Sequence, residues 1–327
     1  VFCTLRFSSV RILVGTGLLL VAGCGGKTPV APTPVLAISC PSSAAARAAV
    51  GTSSVAVSYS APTTTGGQAP VTMVCAPTSG SMFPVGTNTV SCTANDTGGR
   101  SAACTFSVTI DPAPIPKLAY TKYLGFGDSE TEGKVTAVPL QLFQNSYTLK
   151  LQPMLQARYT TQTIVVADDG FGGQEVADPA TLTRFDAALA RETPQVVLIM
   201  DGANDLYNEQ NDGIGPAISA IATLGQHATD KGVQVFLATL PPADPSKSKG
   251  GGAAATPAFN AQLVNLANVR NWTVVDVNGA FHGDLGLIGS DGLHPTDAGY
   301  QVIAQAFYDR IVAKYDTTAG AAVAFRR

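Results

Sequence analysis

The sequence predicts two modules of different fold class: a small all-β sandwich, then an α/β domain of three layers, α/β/α, built on a parallel sheet. Three observations carry that reading. All six cysteines, Cys3, Cys24, Cys40, Cys75, Cys92 and Cys104, fall in the first third of the 327 residues. The hydrophobic pattern changes at a Pro-rich joint, Asp111-Pro112-Ala113-Pro114-Ile115-Pro116, with short β-branched runs before it and apolar strands alternating with helical stretches after it. The composition, 45% hydrophobic and 13% charged, is that of a chain that buries a core. A formal net charge of -3 with scattered Lys and Arg residues offers no basic patch, which sets nucleic-acid binding aside.

At the N-terminus, Arg6 and Arg11 precede an apolar run over residues 12–22 that is too short to span a bilayer and right for a signal-peptide core. Its end, Val21-Ala22-Gly23-Cys24, resembles the lipobox of bacterial lipoprotein signals. That resemblance implies a signal peptide over 1–23, lipidation of Cys24, and a membrane partner held through the lipid anchor. The alternative is an ordinary secretory peptide with a chance cysteine; both export the chain. Gly25 stands where Asp would signal retention at the inner membrane, which leaves an outer-membrane anchor open. Residues 24–37 are rich in Gly and Pro and lack hydrophobic periodicity, as a tether does.

Over residues 38–111, runs such as Ser54-Val55-Ala56-Val57-Ser58-Tyr59 and Thr105-Phe106-Ser107-Val108-Thr109-Ile110 are separated by Gly, Pro, Asn and Asp turns, which predicts the β-sandwich. Its four cysteines form no CxxC pair and have no nearby His to complete a zinc site. They read as two disulfides made in an oxidising compartment. The words Cys40-Pro41, Ser79-Gly80-Ser81-Met82-Phe83-Pro84-Val85-Gly86-Thr87, Val90-Ser91-Cys92-Thr93-Ala94 and Ala103-Cys104-Thr105-Phe106 resemble the hyalin-repeat (HYR) family of immunoglobulin-like modules. The pattern departs at Asn95-Asp96-Thr97-Gly98-Gly99-Arg100, where the family more often has Asp-x-x-Gly-Asn. The resemblance implies a spacer or adhesive module. Within it Cys40 is paired with Cys104 and Cys75 with Cys92, the outer pair joining first strand to last, although four cysteines allow three connectivities. The large rings, Tyr59, Phe83 and Phe106, fit core positions, so a spacer is the first reading and an adhesin the second.

After a linker at 112–117, the α/β domain is expected over 118–316, with a tail at 317–327. Strand-like runs cover 118–126, 163–167, 196–200, 233–239 and 273–277, and helical patterns cover 147–159, 179–192, 215–231, 256–269 and 296–314. Such alternation implies a parallel sheet covered on both faces, with ligands at the carboxyl ends of the strands. Four polar clusters fall there: Gly127-Asp128-Ser129-Glu130-Thr131-Glu132-Gly133, Asp169-Gly170-Phe171-Gly172-Gly173, Gly202-Ala203-Asn204-Asp205 and Ser290-Asp291-Gly292-Leu293-His294-Pro295.

Taken alone, Gly-Asp-Ser is a common turn and helix-cap string. At a strand-to-helix turn, however, Ser129 meets a helix N-terminus that favours developing negative charge, and it then needs only a base. The chain has three histidines. His227 lies in a helical pattern and reads as solvated or packed, while His282 lies on a loop that could approach the site. His294 is the stronger base, because Asp291, three residues earlier, can fold back to orient its ring; in isolation Asp291 reads better as a helix cap.

The four clusters in this order resemble blocks I, II, III and V of the SGNH/GDSL hydrolases over residues 118–315. The resemblance implies a flavodoxin-like α/β/α domain and a serine esterase with Ser129 as nucleophile, His294 as base and Asp291 as its orienting partner. It further implies an oxyanion hole made by the N–H groups of Ser129 and Gly173 and the side-chain amide of Asn204. Block II usually opens with Asn, whereas here Asp168-Asp169 stand in its place; Gly172 is one register step from Gly173, and spacing from Gly170 favours Gly173. No metal or cofactor is implied. The expected substrate is an acetylated or acylated glycan, a lipid ester such as a lysophospholipid, or another short acyl ester. A non-catalytic surface-binding lipoprotein and an acyltransferase on the same triad are the competing readings. Residues 241–256, which include Lys-Ser-Lys-Gly-Gly-Gly-Ala, read either as a loop over the acyl pocket or as a disordered insertion.

Overall fold

The computed structural model describes residues 34–134 and 146–318. Cys24, the segment read as a signal peptide and most of the tail lie outside the described residues. The chain divides into two compact units between Ala113 and Pro114.

Among the described residues of the first unit the β-branched runs form eight strands: β1 (Ala37–Ser39), β2 (Ala44–Arg47), β3 (Ser54–Ala56), β4 (Thr63–Thr65), β5 (Thr72–Ala76), β6 (Met82–Pro84), β7 (Gly86–Asn95) and β8 (Ser101–Asp111). The main sheet runs β2-β8-β7-β5, with smaller pairings of β1 with β4 and of β3 with β6. Along β7 and β8 alternate side chains turn inward, so Val90, Cys92, Phe106, Val108 and Ile110 join Phe83 in the core. Tyr59 meets Phe106 edge to face at 4.9 Å. Disulfides join Cys40 to Cys104 and Cys75 to Cys92. The β7–β8 turn, where the sequence departs from the HYR pattern, is organised by Asp96. Its carboxylate accepts hydrogen bonds from Gln68 N–H (2.8 Å) and from Arg100 N–H and Nε (both 2.9 Å).

The described residues of the second unit form five parallel strands in the order β10-β9-β11-β12-β13. They are β9 (Lys122–Gly127), β10 (Val165–Gly170), β11 (Val196–Met200), β12 (Gln234–Ala238) and β13 (Thr273–Val275). The central β11 is buried along its whole length, which explains its uninterrupted Val-Val-Leu-Ile-Met run. Among the described residues eight helices precede, join or follow the strands of this unit: α1 (Ser129–Glu132), α2 (Tyr147–Arg158), α3 (Pro179–Glu192), α4 (Ala203–Glu209), α5 (Ile214–Asp230), α6 (Thr256–Arg270), α7 (Val277–Ala280) and α8 (Asp297–Tyr315). Helix α2 packs on α8, and α5 packs on both α3 and α6, the two-sided covering that right-handed crossovers produce.

Two strand boundaries differ from expectation by more than two residues. Strand β9 begins at Lys122 rather than 118, because Leu118 bridges to Asp316 and the Tyr120 ring packs on Tyr315 at 4.8 Å. Those apolar residues are buried by the end of α8 instead of by the sheet. Strand β10 runs on to Gly170, since Asp168, Asp169 and Gly170 pair with Gly125, Phe126 and Gly127. The strand order reverses around β9, and the chain leaves β9, β10 and β11 at adjacent points of the same sheet end.

Candidate active site

Ser129 is the first residue of α1, directly after β9, and its side chain is buried. Asp128 caps the helix: its carboxylate accepts from Glu130 N–H at 2.9 Å and from Ala203 N–H at 3.2 Å. One side chain thus ties the start of α1 to the start of α4. Burial, only partly offset by those bonds, pushes the Asp128 carboxyl up to about 6. Thr131 Oγ1 adds a bond to Met200 O at 3.2 Å, which ties α1 to the end of β11.

The structure brings His294 and Asp291 to Ser129. Ser129 Oγ lies 2.8 Å from His294 Nε2, and His294 Nδ1 lies 2.5 Å from Asp291 Oδ2. The other carboxylate oxygen of Asp291 accepts from the N–H groups of Leu293 and His294, both at 3.1 Å. Asp291 does not cap α8; that role falls to Thr296, which accepts from Gly299 N–H. The carboxylate is left to orient the ring. Burial works against the charge on Asp291, but the hydrogen bond from His294 and those from the main chain outweigh it, so the group titrates below its ordinary value. Burial holds His294 below its ordinary value; the bond to Asp291 and its charge oppose this, and the charges of Lys249 and Lys134 add to the lowering. The imidazole is therefore held as the neutral base at neutral pH.

The loop after β10 meets Ser129 through Gly172. A Cβ added there would lie 3.4 Å from Ser129 Cβ and 2.5 Å from Glu132 Oε2. Gly173 has φ +83°, a conformation that L side chains rarely adopt, and a Cβ there would meet open space. Asn204, in the first turn of α4, donates through Nδ2 to Gln174 O at 3.1 Å. Asp205 accepts from the N–H groups of Val176 (2.9 Å) and Ala177 (3.1 Å), which holds the same loop to α4.

The two acids that replace the usual Asn of block II have separate tasks. Asp168 accepts from the hydroxyls of Ser146 (2.6 Å) and Thr148 (2.5 Å) at the start of α2. Asp169 pairs with Arg184 (2.5 Å) and Arg191 (2.6 Å). Arg184 also donates to Gly127 O at 3.0 Å and lies 4.0 Å above the Phe126 ring, so it buttresses β9 just before Ser129. These supports left no mark in sequence spacing, because each joins residues far apart in the chain.

Residues 241–256 are not a free insertion. They include a 3-10 turn at Gly250–Ala254, and they donate from Asp244 N–H to Gly292 O (2.8 Å) and from Lys249 N–H to Asp291 O (2.7 Å). The segment braces the loop that carries Asp291. His227 pairs with Asp186 at 3.1 Å. His282 lines a cleft with Asp276, Asp309 and Arg310, a cleft whose lining includes none of Ser129, Asp291 and His294. Among the described residues no group of three or more His, Cys, Asp or Glu is arranged to hold a metal ion.

The GDSL-like lipase/acylhydrolase family matches residues 126–302, and the HYR domain matches residues 32–110. Among solved structures, a lipase/acylhydrolase from Enterococcus faecalis is similar at 22% identity, over 60% of this chain and 97% of that one, with a TM-score of 0.51. An α/β hydrolase enzyme from the metagenome of Lake Arreo, Spain, is similar at 22% identity over 60% and 96%, with a TM-score of 0.50. At these identities the likeness is one of fold. None of the curated proteins matches the chain. The family match covers more than half of the sequence and spans every residue from Phe126 at the end of β9 to the first turns of α8. The chain belongs to the GDSL-like lipase/acylhydrolase family, as an ester hydrolase of SGNH type that follows an HYR domain.

Proposed function

We propose that this protein is an exported esterase that cleaves carboxylic esters through an acyl-enzyme on Ser129. The observation that carries the reading is the unbroken chain from Ser129 Oγ to His294 Nε2 (2.8 Å) and from His294 Nδ1 to Asp291 Oδ2 (2.5 Å). A serine alcohol is a poor nucleophile at neutral pH, and a neutral imidazole at this distance removes its proton as the Oγ–carbonyl bond forms. Asp291 fixes the tautomer with the proton on Nδ1 and stabilises the imidazolium.

The negative charge of the tetrahedral intermediate goes to the N–H groups of Ser129 and Gly173 and to the Asn204 amide, whose bond to Gln174 O holds it in place. His294 then gives its proton to the leaving alcohol, the C–O bond breaks, and the acyl group stays on Ser129. Water, deprotonated by the same ring, attacks the acyl-enzyme and returns the serine. Acylated glycans and lipid esters are the substrate classes. Two disulfides in the HYR domain support an oxidising compartment outside the cytoplasm, with lipid on Cys24 as the anchor.

The test is hydrolysis of p-nitrophenyl acetate, butyrate and octanoate by the parent and by Ser129→Ala. Turnover of at least one ester by the parent and loss in the variant supports the assignment; equal turnover by both removes Ser129 from the mechanism.

A further inference from the structure

Two lysines are tied to the proposed triad through their main chains. Lys134 N–H donates to Ser129 O at 3.0 Å, and Lys249 N–H donates to Asp291 O at 2.7 Å. Both side chains are half-buried. Every Asp and Glu of the chain lies among the described residues, where the lysine ion pairs are Lys150–Asp297, Lys231–Asp186 and Lys247–Asp244. Lys134 and Lys249 have none. Both charges add to the lowering of His294 that burial begins. Two half-buried ammonium groups without an ion pair favour an anion brought by a ligand.

The opposite charge stands elsewhere in the site. Glu132 Oε2 lies against Gly172, 2.5 Å from where a Cβ would be, and that Cβ position is itself 3.4 Å from Ser129 Cβ. Glu132 also has no ion pair among the described residues. The site thus holds two lysines joined through their main chains to Ser129 and Asp291, and a carboxylate beside the glycine loop. His294 is the group that must protonate the leaving oxygen, which places the alcohol portion of an ester on the cationic side.

We propose that the site selects acyl esters whose alcohol portion carries a negative charge, bound between Lys134 and Lys249, while Glu132 discourages a charged acyl group. This rests on the esterase reading above. The shared chemistry is an anion near the ester oxygen, either a carboxylate, as on an acylated uronate glycan, or a phosphate, as on a lysophospholipid.

Three acetyl esters of matched shape decide it: neutral 4-acetoxybenzamide, 4-acetoxybenzoate and 4-acetoxyphenyl phosphate, each measured as kcat/KM at low salt with the full chain. One or both anions should be preferred by about fivefold or more, the size of one or two partly exposed charge contacts, and the preference should shrink as salt is added. Which anion wins names the source. The ratio should fall to about one in the Lys134→Met/Lys249→Met double variant and persist in Lys134→Arg/Lys249→Arg. Each ratio is taken within one protein, so loss of folded material cancels. A parent ratio near one, or a Met variant that keeps the preference, overturns the inference and leaves the esterase reading standing. Silence on all three esters and on p-nitrophenyl acetate overturns that reading and this inference with it.

Discussion

Replacing Gly170 by alanine perturbs the site without removing a single polar group. Gly170 ends β10 where the strand abuts α1, and a Cβ there would lie 2.0 Å from Glu132 N, 2.5 Å from Glu132 Cα and 2.7 Å from Thr131 C. All three are main-chain atoms of α1, so no side chain can swing aside. Ordinary contact begins at 3.4 Å, and α1 or β10 must therefore yield by about 1.4 Å. Because α1 carries Ser129, that displacement acts directly on the 2.8 Å contact between Oγ and His294 Nε2. Misplacing a reacting group by about 1 Å costs roughly 10²-fold in rate, and overpacking of this kind costs about 1–3 kcal/mol of stability. The assay is kcat/KM for p-nitrophenyl acetate, together with a melting curve followed through Trp272, the single tryptophan of the chain. Gly215→Ala is the control, since a Cβ at that position in α5 meets nothing within 4 Å, and it should behave as the parent. A Gly170→Ala protein with activity within about twofold of the parent and an unchanged melting temperature would refute the steric reasoning.

Three other predictions follow from the same geometry. Asn204→Ala should lower kcat by about 10² to 10³ with a smaller change in KM, the cost of one oxyanion donor; steady-state kinetics showing a change confined to KM would contradict the role. His294 is held below its ordinary value of 6.5, chiefly by burial, so the acid limb of the kcat/KM profile should have its midpoint below 6.5. A limb centred above 7 would contradict that environment. Asp128 and Asp205 are both pushed up to about 6, mainly by burial, and burial also raises Glu130 and Asp201. The folded protein holds protons that the unfolded chain releases above 3.8, so their stabilisation is full below that value and is lost as pH rises through about 6. His294 acts in the opposite sense, one group against four, so the Trp272 melting temperature should be higher at pH 5 than at pH 7. A lower value at pH 5 would contradict the burial of these acids.

The parallel-sheet domain was legible because its strands are covered on both faces. Runs such as Val196 to Met200 have no polar face to blur them, and α3 and α5 keep a helical period. Strand limits were less legible where apolar residues are buried by something other than the sheet, as Leu118 and Tyr120 are by the end of α8. Helix α4 was hidden because Asn204 and Asp205 read as loop residues, although both face the block II loop as hydrogen-bonding groups. Ser129, Asp291 and His294 stood out because histidine is scarce here and the polar clusters follow strands. Their supports did not. Arg184 under β9, Asp128 between α1 and α4, and Lys249 behind Asp291 act across folded contacts that no local spacing records.

The central claim is that the acyl group passes through Ser129, and rapid acid quench during turnover of p-nitrophenyl acetate, followed by intact mass and peptide mapping, tests it most directly. The account predicts one acetyl group per chain, on Ser129, and none on the Ser129→Ala protein. An acetyl group mapped to another residue, or a burst of p-nitrophenol that survives in Ser129→Ala, would contradict it.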